Sequence, residues 1–215
     1  MEPTLHIATH NIHKGFSQFN RRMVVHDLRE RLRELDPDLV FLQEVQGLHI
    51  GHAERHEQWP EEPQHEFLAA DVWQSAAYGR NVIYDHGHHG NAILSRFPII
   101  DAHNQDVTHL QFERRGLLHC RIAAPGGPEI HCVCVHLSLF GRSRKKQMES
   151  LAGYLDALAR PEEPLIIAGD FNDWRNRADD HLAQRLGLTE VFGGIAGRPV
   201  KRFPAALPVF RLDRI

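Results

Sequence analysis

The sequence predicts an α+β sandwich, two packed sheets covered by helices. Three observations carry that prediction. Strand-like apolar runs outnumber helical stretches along the chain. The two strongest helical stretches lie near opposite ends of the strand-rich portion, where they can cover the outer faces of the sheets. Two of the apolar runs, GLLHCRIAA (116–124) and EIHCVCVH (129–136), flank the turn signal PGGP and read as an antiparallel hairpin. A length of 215 residues with 42% hydrophobic content suits one domain spanning 1–215.

Taken in order, LHIATHN (5–11) is the first strand candidate. RRMVVHDLRERLREL (21–35) follows with helical periodicity, placing Val24, Leu28, Leu32 and Leu35 on one face, with Asn20 as its N-cap. Asp36 precedes Pro37, and a residue before proline disfavours the helical region, so the helix stops there. DLVFLQE (38–44) is the next strand, and an unbroken alternation puts Val40, Leu42 and Glu44 on one face. The polar, proline-bearing segment 49–64 (HIGHAERHEQWPEEPQ) has no period and reads as a long loop. HEFLAADVWQSAA (65–77) is a shorter helix candidate. RNVIY (80–84) and NAILSRFPII (91–100) are strands, with the glycines of YDHGHHGN (84–91) marking a turn between them. After the hairpin, KKQMESLAGYLDALARP (145–161) carries a stripe of Met148, Leu151, Leu155 and Leu158. LIIAGDFN (165–172) is a strand, RADDHLAQRLG (177–187) a short helix and PVFRLD (208–213) the last strand.

Five of these apolar runs deliver a polar group near their C-terminal end: Asn11, Glu44, His136, the pair Asp170 and Asn172, and Asp213. A strand apolar on both faces is buried, so its polar tip lies at the rim of the core. Several such tips on one rim make a cluster of carboxylates and amides, the donor chemistry of a hard divalent cation and a phosphate ester. Glu44 after two core residues is costly to bury unless a cation or donor meets it, and an ion pair with an arginine is the bland alternative. Asp170 followed two residues later by Asn172 can be an Asx-turn closing a strand, which accounts for one of the two residues. A lone histidine such as His136 is more often a satisfied core residue, but here it shares the kind of position the carboxylates hold.

Net charge is −3 and the pI is near 6.6, which argues against strong general affinity for nucleic acid. Cys120, Cys132 and Cys134 sit inside apolar runs, so they read as reduced core thiols. The N-terminal stretch lacks a basic region followed by an apolar one, and no transmembrane segment is expected. Cytoplasmic localisation is the expectation, with no clear protein partner.

The motifs THNIHKG (9–15), DLVFLQEV (38–45), GNAILSRFPI (90–99), VHLSL (135–139), AGDFNDW (168–174) and RLDRI (211–215), in this order, closely resemble the endonuclease/exonuclease/phosphatase family, metal-dependent phosphoesterases with the deoxyribonuclease-I-like fold. The resemblance covers the whole chain. It implies a four-layer α/β/β/α sandwich of two mostly antiparallel sheets, with the site at one edge of both. It also implies Glu44 as main ligand of Mg2+ (Mn2+ as a substitute), with Asn11 shaping the metal site. Asp170 would orient or deprotonate the attacking water, Asn172 would hydrogen-bond the phosphate, and His136 would donate to a phosphate oxygen. Asp213 would buttress a histidine near the C-terminus. Family members continue beyond RLDRI through about two further strands to a Ser-Asp-His-like motif. The resemblance thus casts 1–215 as a domain incomplete at its C-terminus, impaired in turnover until extended.

The expected activity is magnesium-dependent hydrolysis of a phosphodiester by in-line attack of water. Substrate candidates are a small phosphodiester, a phospholipid headgroup or nucleic acid, with the 49–64 segment as a cap over the smaller ones. A non-catalytic binding or regulatory domain and a DNA repair endonuclease are the other classes left open.

Overall fold

The computed structural model describes residues 4–17, 22–158, 163–173, 185, 187–191 and 213–215. Two mixed sheets pack face to face. The first contains β1 (Ile7–Asn11), β2 (Leu39–His49), β3 (Ser75–Tyr84) and β4 (Gly87–Ser95), in the order β1-β2-β4-β3. The second contains β5 (Ile99–Asp106), β6 (Gly116–Ala123), β7 (Glu129–His136), β8 (Leu165–Asp170) and β9 (Asp213–Arg214), in sequence order. Among the described residues the α-helices are α1 (Val25–Leu35), α2 (Ile50–Arg55), α3 (Gln64–Ala69) and α4 (Gly141–Leu158).

Alternation along the strands sorts their side chains into three cores. Leu39, Phe41 and Ile93 of the first sheet meet Leu118, Cys120, Ile122, Cys132 and Cys134 of the second in a dry central layer. On the outer face of the first sheet, Val40, Leu42 and Leu94 pack under Val25 and Leu32 of α1 and Phe67 and Leu68 of α3. On the outer face of the second, Leu117, Val133, Val135 and Ile167 meet Met148, Leu151 and Leu155 of α4. The architecture is therefore the expected four-layer α/β/β/α sandwich. Truncating one of the fully buried leucines to alanine is worth about 2–5 kcal/mol in such a core. The three cysteines are free and buried, and burial pushes the Cys120 and Cys134 thiols up to about 12.

Two strand pairs run parallel, β1 with β2 and β7 with β8, and the rest are antiparallel. In the β1–β2 pair Asn11 ends opposite Gln43; in the β7–β8 pair His136 ends opposite Asp170. The two parallel pairs come from different sheets and terminate at the same end of the sandwich, which creates the rim. The hairpin across PGGP forms as expected, with Ala123 opposite Glu129.

Six expectations change. On α1 the expected Leu32 is buried and Leu28 packs partly buried against the same core, but Val25 rather than Val24 is buried and Leu35 is 68% exposed. Residues 50–55 form α2 rather than continuing a loop, and β2 extends to His49. The 65–77 helix ends at Ala69, after which Trp73 anchors its indole N–H on the Pro37 carbonyl at 3.0 Å and β3 begins at Ser75. Leu158, the fourth member of the α4 stripe, is 41% exposed. The run 91–100 is cut by Phe97–Pro98 into the end of β4 and the start of β5, which lie in different sheets. The turn in 84–91 is confined to Asp85 and His86, and His88 and His89 lie on β4. Asn20 and nearly all of the 177–187 and 208–213 segments lie outside the described residues.

Candidate active site at the rim of the two sheets

Glu44 reaches the rim by a route the alternation does not foresee. The β2–β4 register slips between Leu42 and Val45, and Glu44 has φ 53°. This bulge lets Val45 join Val40 and Leu42 in the helix-side core, so Glu44 is not on their face. Left-handed backbone at a glutamate costs of order 1 kcal/mol and persists only where the surroundings enforce it. Here the outcome is a carboxylate aimed across the sheet ends, its side chain 21% exposed.

Asn11, at the tip of β1, stands between the two carboxylates. Its Nδ2 donates to Glu44 Oε1 at 3.2 Å and to Asp170 Oδ2 at 3.3 Å, while its Oδ1 accepts from the His13 N–H. Carboxylates contributed by different sheets thus share one amide nitrogen. Lys14 Nζ lies 3.7 Å from Glu44 Oε2 and His13 Nδ1 lies 3.9 Å from it, both on the tight turn that follows β1.

Asp170 ends β8, and the preceding backbone explains its placement. Gly169 has φ 146°, and a Cβ there would sit 2.0 Å from the Val135 carbonyl oxygen. Only glycine lets β8 approach β7 this closely. Asp170 Oδ1 accepts from the Asn172 N–H at 2.9 Å, which is an Asx-turn, and its Oδ2 remains turned to Asn11 and to His136 Nε2 at 3.8 Å. Asn172, at φ 49°, uses one donor of its amide on the Leu137 carbonyl at 2.9 Å, which fixes the side chain at the same end. Asp213 faces Asp170 across the β8–β9 pair and is partly exposed.

The electrostatics follow from burial and company. Burial alone would raise the Glu44 pKa, but His136, Lys14, His13 and the Asn11 donor together hold it below the ordinary carboxylate value. Burial, with the Arg115 charge nearby, pushes His136 below the ordinary imidazole value against the pull of Asp170, Glu44 and Glu113. Burial thus favours the neutral imidazole of His136, which can both donate and accept. Asp213 and the five other residues singled out from the sequence lie together at one end of the sandwich. Glu113, Arg115, Lys14 and His89 were not anticipated in this neighbourhood. Arg115 is held by Glu113 at 3.1 Å, and it feels the charges of Glu44 and Asp170. Lys14 lies inside the THNIHKG motif and could have been read from it; Arg115 arrives through a loop no local pattern marks.

The donors suit a hard cation. Glu44, Asp170 and Asn11 offer only carboxylate and amide groups, and no cysteine lies at the rim. Among the described residues no three His, Cys, Asp or Glu side chains are grouped so as to hold a metal ion together. Magnesium is held in this sparse way, by one or two carboxylates with water and substrate phosphate completing its shell.

The sequence model of the endonuclease/exonuclease/phosphatase family matches residues 8–215. The chain is 47% identical over 211 residues to the protein YbhP of Escherichia coli strain K12, covering 97% of this chain and 83% of that protein. An endonuclease/exonuclease/phosphatase from Beutenbergia cavernae superposes with a TM-score of 0.76 at 20% identity, over 98% of this chain and 63% of the other. A mannosyl-6-phosphatase from Bacteroides thetaiotaomicron superposes with a TM-score of 0.73 at 16% identity, over 98% of this chain and 84% of the other. At these identities the two structures speak to fold alone. Family model and relative together decide the assignment: the chain belongs to the endonuclease/exonuclease/phosphatase family.

Proposed function

We propose that the protein hydrolyses a phosphodiester with the help of Mg2+, Mn2+ serving as substitute. The observation that carries this reading is the convergence of Glu44 and Asp170, from different sheets, on the single amide of Asn11. Two carboxylates brought this close repel one another, and a divalent cation relieves the repulsion. Glu44, with Asn11 and Asp170 beside it, would hold the ion. When bound, the ion supplies charge neutralisation to the phosphate and favours in-line displacement.

The protein groups divide the remaining work. Asp170, its Oδ1 tied to the Asn172 N–H, presents Oδ2 as an acceptor for the proton of an attacking water. His136, neutral and buried, donates toward a phosphate oxygen as charge builds in the transition state. Asn172 keeps one amide proton for the phosphate, the other being spent on Leu137. Asp213 faces Asp170 across β8–β9 and would buttress a histidine brought to the rim. A small phosphodiester or a phospholipid is favoured over nucleic acid, since the net charge of −3 offers no general phosphate-tracking surface. The cytoplasm is the proposed compartment: three buried free thiols suit a reducing setting.

The test has two readouts. Titrating Mn2+ into the apoprotein by calorimetry should give one binding event in wild type and a lost or much weakened one in Glu44→Gln. Hydrolysis of bis(p-nitrophenyl) phosphate should depend on added Mg2+ and disappear in the same variant. Metal binding unaffected by Glu44→Gln would remove the basis of the reading.

A further inference from the structure

Next to the rim, the protein holds a group of large apolar side chains in water. Phe112 is 76% exposed, Phe140 52% and Leu139 54%, and the two phenyl rings meet edge to face with centroids 5.8 Å apart. They come from two loops, one leading into β6 and one linking β7 to α4. Phe140 follows by three residues Leu137, whose carbonyl accepts from the Asn172 amide, so the patch borders the rim site.

The loops presenting them are firmly built. Glu113, buried, accepts from the Ser138 hydroxyl, from the Leu139 N–H at 3.1 Å and from Arg115 at 3.1 Å. Phe140 N–H donates to the Ser138 hydroxyl, and Arg144 donates to the carbonyls of Ser138 and Leu139 at 2.9 and 3.2 Å. A buried carboxylate thus clamps the two loops together and fixes the neighbouring phenylalanines outward. Exposure enforced by a buried hydrogen-bond network marks a surface with a use.

The charges around the patch identify its partner. Arg114 and Arg142 are exposed two residues beyond Phe112 and Phe140, Lys145 and Lys146 are exposed on the first turns of α4, and Lys145 leans on Glu149 at 3.9 Å. Across segments 108–115 and 137–146 the only acid is Glu113, which the clamp consumes. This local excess of cations stands against an overall charge of −3. Apolar side chains flanked by lysine and arginine match the headgroup boundary of an anionic bilayer, where rings enter the acyl region and cations meet lipid phosphates. A platform for single-stranded nucleic acid would instead space its aromatics so that each offers a free face to a base. Here one ring's edge covers the other's face, and Leu139 has no such face to offer.

We infer that the Phe112–Leu139–Phe140 patch with its surrounding cations docks the protein peripherally on an anionic phospholipid surface, delivering the rim site to phosphodiester groups held there. What is cleaved rests on the function proposed above; what is bound does not.

The experiment is co-sedimentation of the full chain with phosphatidylglycerol/phosphatidylcholine vesicles and with pure phosphatidylcholine vesicles. Hydrolysis of soluble bis(p-nitrophenyl) phosphate is measured in parallel. Wild type should sediment with the anionic vesicles, and Phe112→Ser/Phe140→Ser should weaken that binding by about tenfold or more. Arg114→Gln and Arg142→Gln should each weaken it about fivefold. All variants should hydrolyse the soluble diester as wild type does. No sedimentation of wild type, or equal binding by the serine variant, overturns the inference. So does aromatic-dependent binding of a single-stranded oligonucleotide without vesicle binding, or aromatic-dependent self-association seen by light scattering. If wild type binds vesicles but hydrolyses no soluble diester, the catalytic reading falls and the docking surface stands.

Discussion

Two places in this molecule put buried histidines beside carboxylates and end up as different things. Beneath α4, Tyr154, His119, His131 and Glu163 form a row: Tyr154 Oη lies 3.1 Å from His119 Nδ1, His119 Nε2 lies 2.9 Å from His131 Nδ1, and His131 Nε2 lies 3.1 Å from Glu163. Both nitrogens of each imidazole are engaged, so the row is chemically closed. At the rim, Glu44 and Asp170 share one amide nitrogen, while Lys14 at 3.7 Å and His136 at 3.8 Å stand beyond hydrogen-bond length. Acceptors there outnumber well-placed donors. Residue type does not separate the two places; the balance of donors and acceptors does.

That contrast is sharpest at Glu44. Glu44→Gln should reduce magnesium-dependent diester hydrolysis by about 10²-fold or more, with thermal unfolding little changed. A large stability loss with activity retained would place Glu44 with the structural row instead.

Gly169→Ala should cost about 3 kcal/mol in denaturant unfolding, because the added Cβ would sit 2.0 Å from the Val135 carbonyl oxygen at a φ of 146°. A neutral result would mean that the β7–β8 approach does not fix Asp170.

The histidine row should show itself in acid. Burial, aided by the neighbouring His131, lowers His119 to about 4 from an ordinary 6.5. The unfolded chain therefore takes up a proton at His119 that the folded one refuses between those values. The stabilisation is complete above pH 6.5 and is lost as pH falls toward 4, with a slope of at most about 1.4 kcal/mol per unit. His119→Gln keeps a donor and an acceptor but cannot titrate, so its unfolding free energy should vary less across that window. An unchanged slope would assign acid lability elsewhere.

The smallest effect concerns Lys14. Its ammonium competes with a bound cation for Glu44, so Lys14→Gln should tighten Mn2+ binding about two- to fivefold by calorimetry. Weaker binding would make Lys14 a supporting member of the site.

Much of this was legible in the residues. Polar tips on doubly apolar runs located Asn11, Glu44, His136 and Asp170, because burial of both strand faces forces a polar terminus to the edge of the core. The facing of Glu44 was misread because alternation presumes an unbroken strand, and a one-residue bulge reverses every later side chain. On α1 Val25 takes the buried place expected of Val24, because the two are equally apolar and only packing against β2 chooses between them. The helix at 50–55 escaped notice because its polar, glycine-containing sequence has no periodic stripe. Glu113 and Arg115 could not be read at all, since their importance comes from loops that meet only in three dimensions.

The most direct test is an anomalous difference map from crystals of the protein soaked in Mn2+. The account predicts a single strong peak within coordination distance of Glu44, bordered by Asn11 and Asp170. A peak seated elsewhere, or an occupied site that leaves Glu44 untouched, would contradict it.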